Sequence, residues 1–254
     1  MIFYFTATGN GLDISNRLAQ SLEDKIYNIV DELEGDCSYH IDENERVGIV
    51  SPVYFYGLPT IVEEFISRMN FDNDPYLYLI LSFGTTPGQA MARAEKLLTK
   101  YGHKLNAKLT VQMPENYILM FDPPTQQEIK NILSSAYERV SEFSGRILGG
   151  EDADMSIPPT FFQKMTGIIA KPMYEHGRGT GRFYVDGTCT RCGRCVRVCP
   201  SKAIELRDRI PTWVKSKCIR CCACINRCPF SALQFGRSTR KRGRYVNPNV
   251  DLKD

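Results

Sequence analysis

Nine of the ten cysteines fall between positions 189 and 228, in a spacing suited to binding a metal or a cluster. They read Cys189-x2-Cys192-x2-Cys195-x3-Cys199-Pro200 and then, after 18 intervening residues, Cys218-x2-Cys221-x2-Cys224-x3-Cys228-Pro229. The two runs form an internal repeat with a period of 29 residues, and they also agree at Arg191 and Arg220 and at Ala203 and Ala232. Paired C-x-x-C thiols suit tetrahedral zinc, and cysteine-rich runs suit disulfides in an oxidising compartment. A third thiol two residues beyond each pair, followed by C-x-x-x-C-P, fits a short loop wrapped around a cubane [4Fe-4S] cluster whose fourth thiolate comes from the other repeat. Each repeat alone then lacks a ligand, so cluster binding and folding are expected to be coupled.

The cysteines lie in a basic segment. Residues 182–244 hold 16 Lys/Arg and 3 Asp/Glu, a formal charge of +13, while the remainder of the chain carries −10. Two stretches of different chemistry are joined within 254 residues. These features closely resemble the bacterial two-cluster ferredoxins over roughly positions 183–236. The resemblance implies that Cys189, Cys192, Cys195 and Cys228 hold one cluster and that Cys218, Cys221, Cys224 and Cys199 hold the other. Cys222 stands where the first repeat has Gly193 and reads as a non-ligand. Val185, Ile204, Leu206, Ile210, Leu233 and Phe235 are the expected core of this small module, with the clusters as staples. Trp213 and Phe230 read as packing residues. Reduction adds negative charge to a cluster, so surrounding Arg and Lys should raise its potential relative to acidic ferredoxins.

The first half alternates strand and helix. Strand-like runs at Ile2–Thr6, Lys25–Val30, Arg46–Pro52, Tyr76–Ser82 and Leu105–Met113 alternate with helical spacing at Asn10–Leu22, Leu58–Met69, Pro87–Tyr101 and Gln126–Ile147. Five strands and four helices in this alternation predict a doubly wound parallel sheet, in which ligands bind beyond the carboxyl ends of the strands where strand order reverses. Three loops arrive there. Thr6-Ala7-Thr8-Gly9-Asn10-Gly11 offers hydroxyls and backbone donors at a helix N-terminus. Pro52-Val53-Tyr54-Phe55-Tyr56-Gly57 offers aromatic rings to a planar heterocycle, and Ser82-Phe83-Gly84 permits close backbone approach.

Together these loops resemble the FMN site of the flavodoxin-like fold, over roughly residues 1–148. The resemblance implies phosphate at Thr6, Ala7, Thr8, Gly9, Asn10 and Gly11. It puts one side of the isoalloxazine against Pro52, Val53, Tyr54, Phe55, Tyr56 and Gly57, and the other against Ser82, Phe83 and Gly84. Gly11 departs from the Thr or Ser common in the family, which removes one hydroxyl from the phosphate site. The combined order resembles the ferredoxin-flavodoxin fusion proteins of anaerobic bacteria and archaea. The expected fold is α/β: a flavodoxin-like doubly wound five-stranded parallel sheet followed by a small α+β bacterial ferredoxin domain.

Residues 1–148 are the expected flavodoxin-like domain, 149–181 a linker with a docking helix, 182–236 the ferredoxin domain and 237–254 a basic, solvated tail. The docking helix rests on the stripe Phe161, Phe162, Met165, Ile168, Ile169 and Met173, read as core packing. No apolar run reaches the roughly 18 residues of a membrane helix, and Met1 leads into a strand without a basic leader, so no membrane insertion and a cytoplasmic location are expected. The expected cofactors are FMN and two [4Fe-4S] clusters. The expected function is electron transfer between them and on to redox proteins with acidic docking surfaces. No catalytic residue is assigned, and the alternative is a flavin-dependent reductase of a small acceptor fed by the clusters. A redox-sensing or nucleic-acid-binding protein that uses the tail is a third reading. The charge split predicts that the halves attract one another and separate as salt rises.

Overall fold

The computed structural model describes residues 1–43 and 45–252. Its main sheet contains β1 (Ile2–Tyr4), β2 (Ile26–Asn28), β4 (Arg46–Pro52), β6 (Tyr76–Phe83), β7 (Leu105–Gln112) and β8 (Ala153–Met155), all parallel, in the order β2-β1-β4-β6-β7-β8. The central strands β4 and β6 are buried along almost their whole length, as a parallel sheet covered on both faces requires. A short helix α2 (Ile29–Glu32) and a two-residue pair, β3 (Ser38–Tyr39) with β5 (Asn70–Phe71), decorate one edge. The observed sheet has six strands, one more than the five expected. β8 lies in the segment read as linker, where three residues are too few for periodicity to register.

Helices α1 (Asn10–Leu22) and α5 (Gln126–Leu148) cover one face, packing Ile14, Leu18, Leu133, Val140 and Phe143 against Ile2, Val50, Tyr78, Ile80 and Leu109. Helices α3 (Thr60–Arg68) and α4 (Ala90–Lys100) cover the other, packing Val62, Phe65, Ile66, Ala94 and Leu98 against Phe3, Phe5, Ile49, Leu79 and Leu81. The chain leaves β1 toward β2 on one side and β4 on the other, so strand order reverses between β1 and β4.

After β8, helix α6 (Phe161–Gly177) starts on a capping box of Thr160 and Gln163. It docks, but by the opposite face from the one expected. Gly167, Ala170 and Tyr174 are buried, and α6 is fastened through its backbone: Gln89 Nε2 donates to the carbonyl of Lys164 at 2.6 Å and Arg93 Nη2 to that of Gly167 at 2.5 Å. A Cβ at Gly167 would stand 2.6 Å from the Gln89 side chain, so small residues set the approach. Phe161 and Ile168 remain 79% and 77% exposed.

The second half is built on β9 (Phe183–Val185) with β12 (Leu233–Phe235) and β10 (Ile204–Arg207) with β11 (Ile210–Trp213), both antiparallel, plus the one-turn helices α7 (Arg194–Arg197) and α8 (Ala223–Asn226). The 29-residue repeat is visible in the backbone: Arg191 and Arg220, Gly193 and Cys222, and Lys202 and Ser231 all adopt positive φ. Ile204, Leu233 and Phe235 are buried as expected, and Trp213 stacks on Phe183 at 5.4 Å. Leu206 and Ile210, at the turn end of the β10–β11 ribbon, and Phe230, in the turn after Cys228, are instead exposed.

The two halves share buried surface. Ile219, Cys221 and Ala223 belong to the apolar cluster under α3 and α4, and Ile118 and Leu119 belong to the core of the second half. The carboxyl-terminal segment is no solvated tail. Thr239, Tyr245 and Asn247 are at most 2% exposed, and residues 245–250 run back across the N-terminus of α1. Among the described residues no helix is long and apolar enough to cross a membrane.

Candidate functional site

At the switch point, beyond the carboxyl ends of β1, β4 and β6, lies a cavity of about 500 Å³. Of the first loop, Thr6, Ala7, Asn10 and Gly11 line it, whereas Thr8 and Gly9 do not. Gly9 caps α1 at φ +102°, a conformation open to glycine, and its N–H donates to Thr6 Oγ1 at 3.0 Å. The Gly11 N–H donates to the same oxygen at 3.2 Å. With both lone pairs occupied, the Thr6 hydroxyl has its proton left to give to an anion in the cavity. Thr8 turns away, its Oγ1 accepting from Asn116 Nδ2 at 2.7 Å.

A Cβ at Gly11 would lie 2.5 Å from the Phe5 carbonyl oxygen, so the hydroxyl residue expected from the family has no room here. Asn10 reaches the cavity, yet its amide is spent on protein. Its Nδ2 donates to the Pro114 carbonyl at 3.0 Å, and its Oδ1 accepts from Tyr245 Oη at 2.7 Å.

Pro52, Val53, Tyr54, Phe55 and Tyr56 line it from the loop after β4, and Ser82, Phe83 and Gly84, continued by Thr85 and Thr86, from the end of β6; Gly57 is outside the lining. Phe55 and Tyr56 hold positive φ, at 48° and 60°, in the hairpin closed by reciprocal bonds between Tyr54 and Gly57. Phe55 stacks on Tyr174 of α6 at 5.5 Å and meets Tyr117 edge-on at 5.7 Å. The Tyr54 hydroxyl is buried without a hydrogen-bond partner among the described residues, and burial raises its phenol well above the usual range.

The sequence reading misses the remaining lining: the 113–117 segment after β7, Met120, Phe121, and from α6 Phe162, Thr166, Ile169, Ala170 and Met173. Arg220 and Cys221 of the second half also line this cavity. The helical period of α6 carries a hint, since Phe162, Ile169 and Met173 fall on one stripe.

Two further cavities are thiol-lined. Cys189, Cys192, Cys195 and Cys228 surround one, and Cys199, Cys218, Cys221 and Cys224, with Cys222 beside them, surround the other. Among the described residues no three His, Cys, Asp or Glu side chains converge as they would on a single metal ion; the thiols stand around a space instead. The sulfurs receive backbone donors in register with the repeat. Arg191 N–H donates to Cys189 Sγ and Arg220 N–H to Cys218 Sγ, each at 3.4 Å, while Ala203 and Ala232 N–H donate to Cys199 and Cys228 Sγ at 3.3 Å. Such bonds favour the thiolates a cluster needs. Burial works against them, pushing Cys195 up to about 11. Cys222 is also buried, and its Sγ donates to the Arg220 carbonyl at 3.6 Å. The donor set thus fits a thiolate-bound cluster in each cavity.

A switch-point cavity walled by aromatics and joined to a thiol-rich module defines an iron–sulfur flavoprotein. Residues 1–139 match the family described as "Flavodoxin domain", and residues 183–229 match "4Fe-4S dicluster domain". The chain belongs to the flavodoxin domain family and continues into a ferredoxin-type dicluster region; FMN and [4Fe-4S] clusters are its cofactor classes.

Solved structures similar to this chain include a flavoprotein in complex with FMN from Lactobacillus acidophilus, at 12% identity over 43% of this chain and 90% of that one, with a TM-score of 0.34. The Trp repressor binding protein from Bacillus subtilis is 12% identical over 56% of this chain and 97% of its own, with a TM-score of 0.35. Rubredoxin oxygen:oxidoreductase from Desulfovibrio gigas is 16% identical over 56% and 35%, with a TM-score of 0.31. The assignment rests on the family matches and the sheet order. No curated protein matches the chain.

Proposed function

We propose that the chain is an intramolecular electron carrier, with FMN in the switch-point cavity and one [4Fe-4S] cluster in each thiol cavity. The carrying observation is that Cys221 lines both the large cavity and a four-thiol cavity, with no intervening element. When bound, FMN exchanges electrons singly or in pairs and the clusters exchange them one at a time. Thr6, Ala7, Asn10 and Gly11 form the phosphate end. Pro52 to Tyr56 and Ser82 to Gly84 flank the ring, while Phe55, Tyr117 and Tyr174 exclude water between flavin and cluster.

Cys199, Cys218, Cys221 and Cys224 hold the proximal cluster, and Cys189, Cys192, Cys195 and Cys228 the distal one. Cys192 is exposed, which makes the distal cavity the door to redox proteins. The surrounding basic segment suits partners with acidic docking surfaces. Anaerobically prepared protein should contain about eight iron, about eight sulfide and up to one FMN per chain. Zinc without sulfide would overturn the cluster reading, and failure to take up FMN at micromolar concentrations would overturn the flavin reading.

One observation favours a second reading, a flavin-dependent reductase of a small acceptor. Phe162, Ile169 and Met173 line the cavity while remaining more than half exposed, which leaves an apolar mouth open beside the ring site. Anaerobic turnover with quinones or nitro compounds separates the two: a carrier exchanges electrons faster with redox proteins.

A further inference from the structure

We infer that residues 245–250 are a strap that completes the flavin-phosphate site from the far end of the chain, with Tyr245 and Asn247 as its positioning residues. The inference rests on the FMN reading above. Tyr245 Oη donates to Asn10 Oδ1 at 2.7 Å, and Asn247 Nδ2 donates to Asn10 Oδ1 at 3.3 Å and to Asp13 Oδ2 at 3.0 Å. The Asn247 N–H donates to the Thr8 carbonyl at 2.8 Å. These bonds hold the loop and the first turn of α1, whose donors must face the phosphate.

Steric contact reinforces them. A Cβ at Gly9 would lie 2.7 Å from Val250 Cγ2 and 2.9 Å from Asn247 Cβ, so the strap lies directly against the backbone of the loop. Asn10, Asp13, Tyr245 and Asn247 are all at most 8% exposed, and a bond lost among them is not replaced by bulk water.

The other end of the strap is fixed to the ferredoxin half. The Tyr245 N–H donates to Asn226 Oδ1 at 3.1 Å, and Asn226 Nδ2 donates to the carbonyls of Asn116 and Cys222 at 2.9 and 3.1 Å. Asn226 lies between Cys224 and Cys228, so the phosphate loop is braced by the turn that carries the thiols. None of these bonds reaches the walls built from Tyr54 to Tyr56 or Ser82 to Gly84. The strap therefore acts on the phosphate end of the flavin and not on the ring.

The test compares FMN with riboflavin, which lacks the phosphate, in the cluster-loaded full-length chain. Flavin fluorescence quenching under anaerobic conditions gives both dissociation constants, and visible absorption confirms equal cluster content. Tyr245→Phe, which removes one hydroxyl, is expected to weaken FMN by about tenfold and to leave riboflavin unchanged. Equal weakening of both flavins would make Tyr245 a general packing residue and overturn the inference. So would unchanged FMN affinity. If the unaltered chain took up riboflavin and FMN equally, the phosphate site would fail with it, and if it took up neither, the flavin reading itself would fall.

Discussion

Cys222 and Gly193 occupy the same place in the two repeats, each the left-handed N-cap of a one-turn helix, at φ 61° and 75°. That equivalence gives the extra thiol a backbone position made for glycine, facing no repeat-related sulfur slot. Cys222→Ser should therefore keep both clusters, whereas Cys224→Ser should lose one and weaken the small module, since its clusters act as staples. Iron and sulfide assays on the two variants decide the matter, and equal losses would contradict the ligand sets. The thiols were legible because ligand spacing within a short loop is a local property. The cavity walls supplied by Asn116, Tyr117 and Tyr174 were not, because their partners are distant in sequence and their own neighbourhoods carry no motif.

At the scale of elements, the loop between β1 and α1 shows why a family pattern and a fold can disagree. Gly11 is forced by the Phe5 carbonyl, so restoring the family's hydroxyl with Gly11→Thr should cost about 1–3 kcal/mol through overpacking and should not improve FMN affinity. Thermal unfolding and flavin titration of the variant measure both. His103, in the loop after α4, packs edge-on against Phe71 at 5.7 Å with Nε2 buried and unpartnered among the described residues. Burial holds its imidazole below the ordinary 6.5, so the unfolded chain takes up a proton that the folded chain resists. Its contribution to stability is intact above 6.5 and is lost as pH falls from there toward the folded value. Denaturant unfolding across this window should show a slope that His103→Gln reduces. The long helices were legible from their 3.6-residue period, through positions such as Ile14, Leu18 and Leu22. Helix α6 was legible in extent but not in orientation: its apolar stripe argued for burial, while Gly167 and Ala170 make the contact.

At the scale of the whole molecule, the charge split and the buried contacts lead to different expectations for how the halves cohere. Opposite charges of −10 and +13 suggest attraction that salt would weaken, but the interface is built of Ile118, Leu119, Ile219, Cys221 and Ala223 in shared apolar cores. Of the ion pairs between the halves, Arg242 with Asp122 borders this seam and Lys202 with Glu34 lies at the surface. Lys202 and Glu34 pair at 2.9 Å with both side chains more than 65% exposed, where solvent and salt screen the attraction. Apolar burial and bonds such as Asn226 to Asn116 do not respond to a Debye length of about 8 Å at physiological salt. Residues 245–250 add a second connection, so the switch-point cavity and the thiol cavity that shares Cys221 with it keep one geometry. Transfer between flavin and cluster within one chain should then be insensitive to ionic strength. On the proposed reading the basic surface serves partners, and reduction of an acidic redox protein should slow steeply as salt rises, because steering depends on unscreened charge. Flash-initiated transfer in dilute protein gives the first rate and stopped-flow mixing with the acidic partner gives the second. An internal rate that fell with salt in parallel with the external one would mean that the halves separate in solution and that charge, not the apolar seam, holds them.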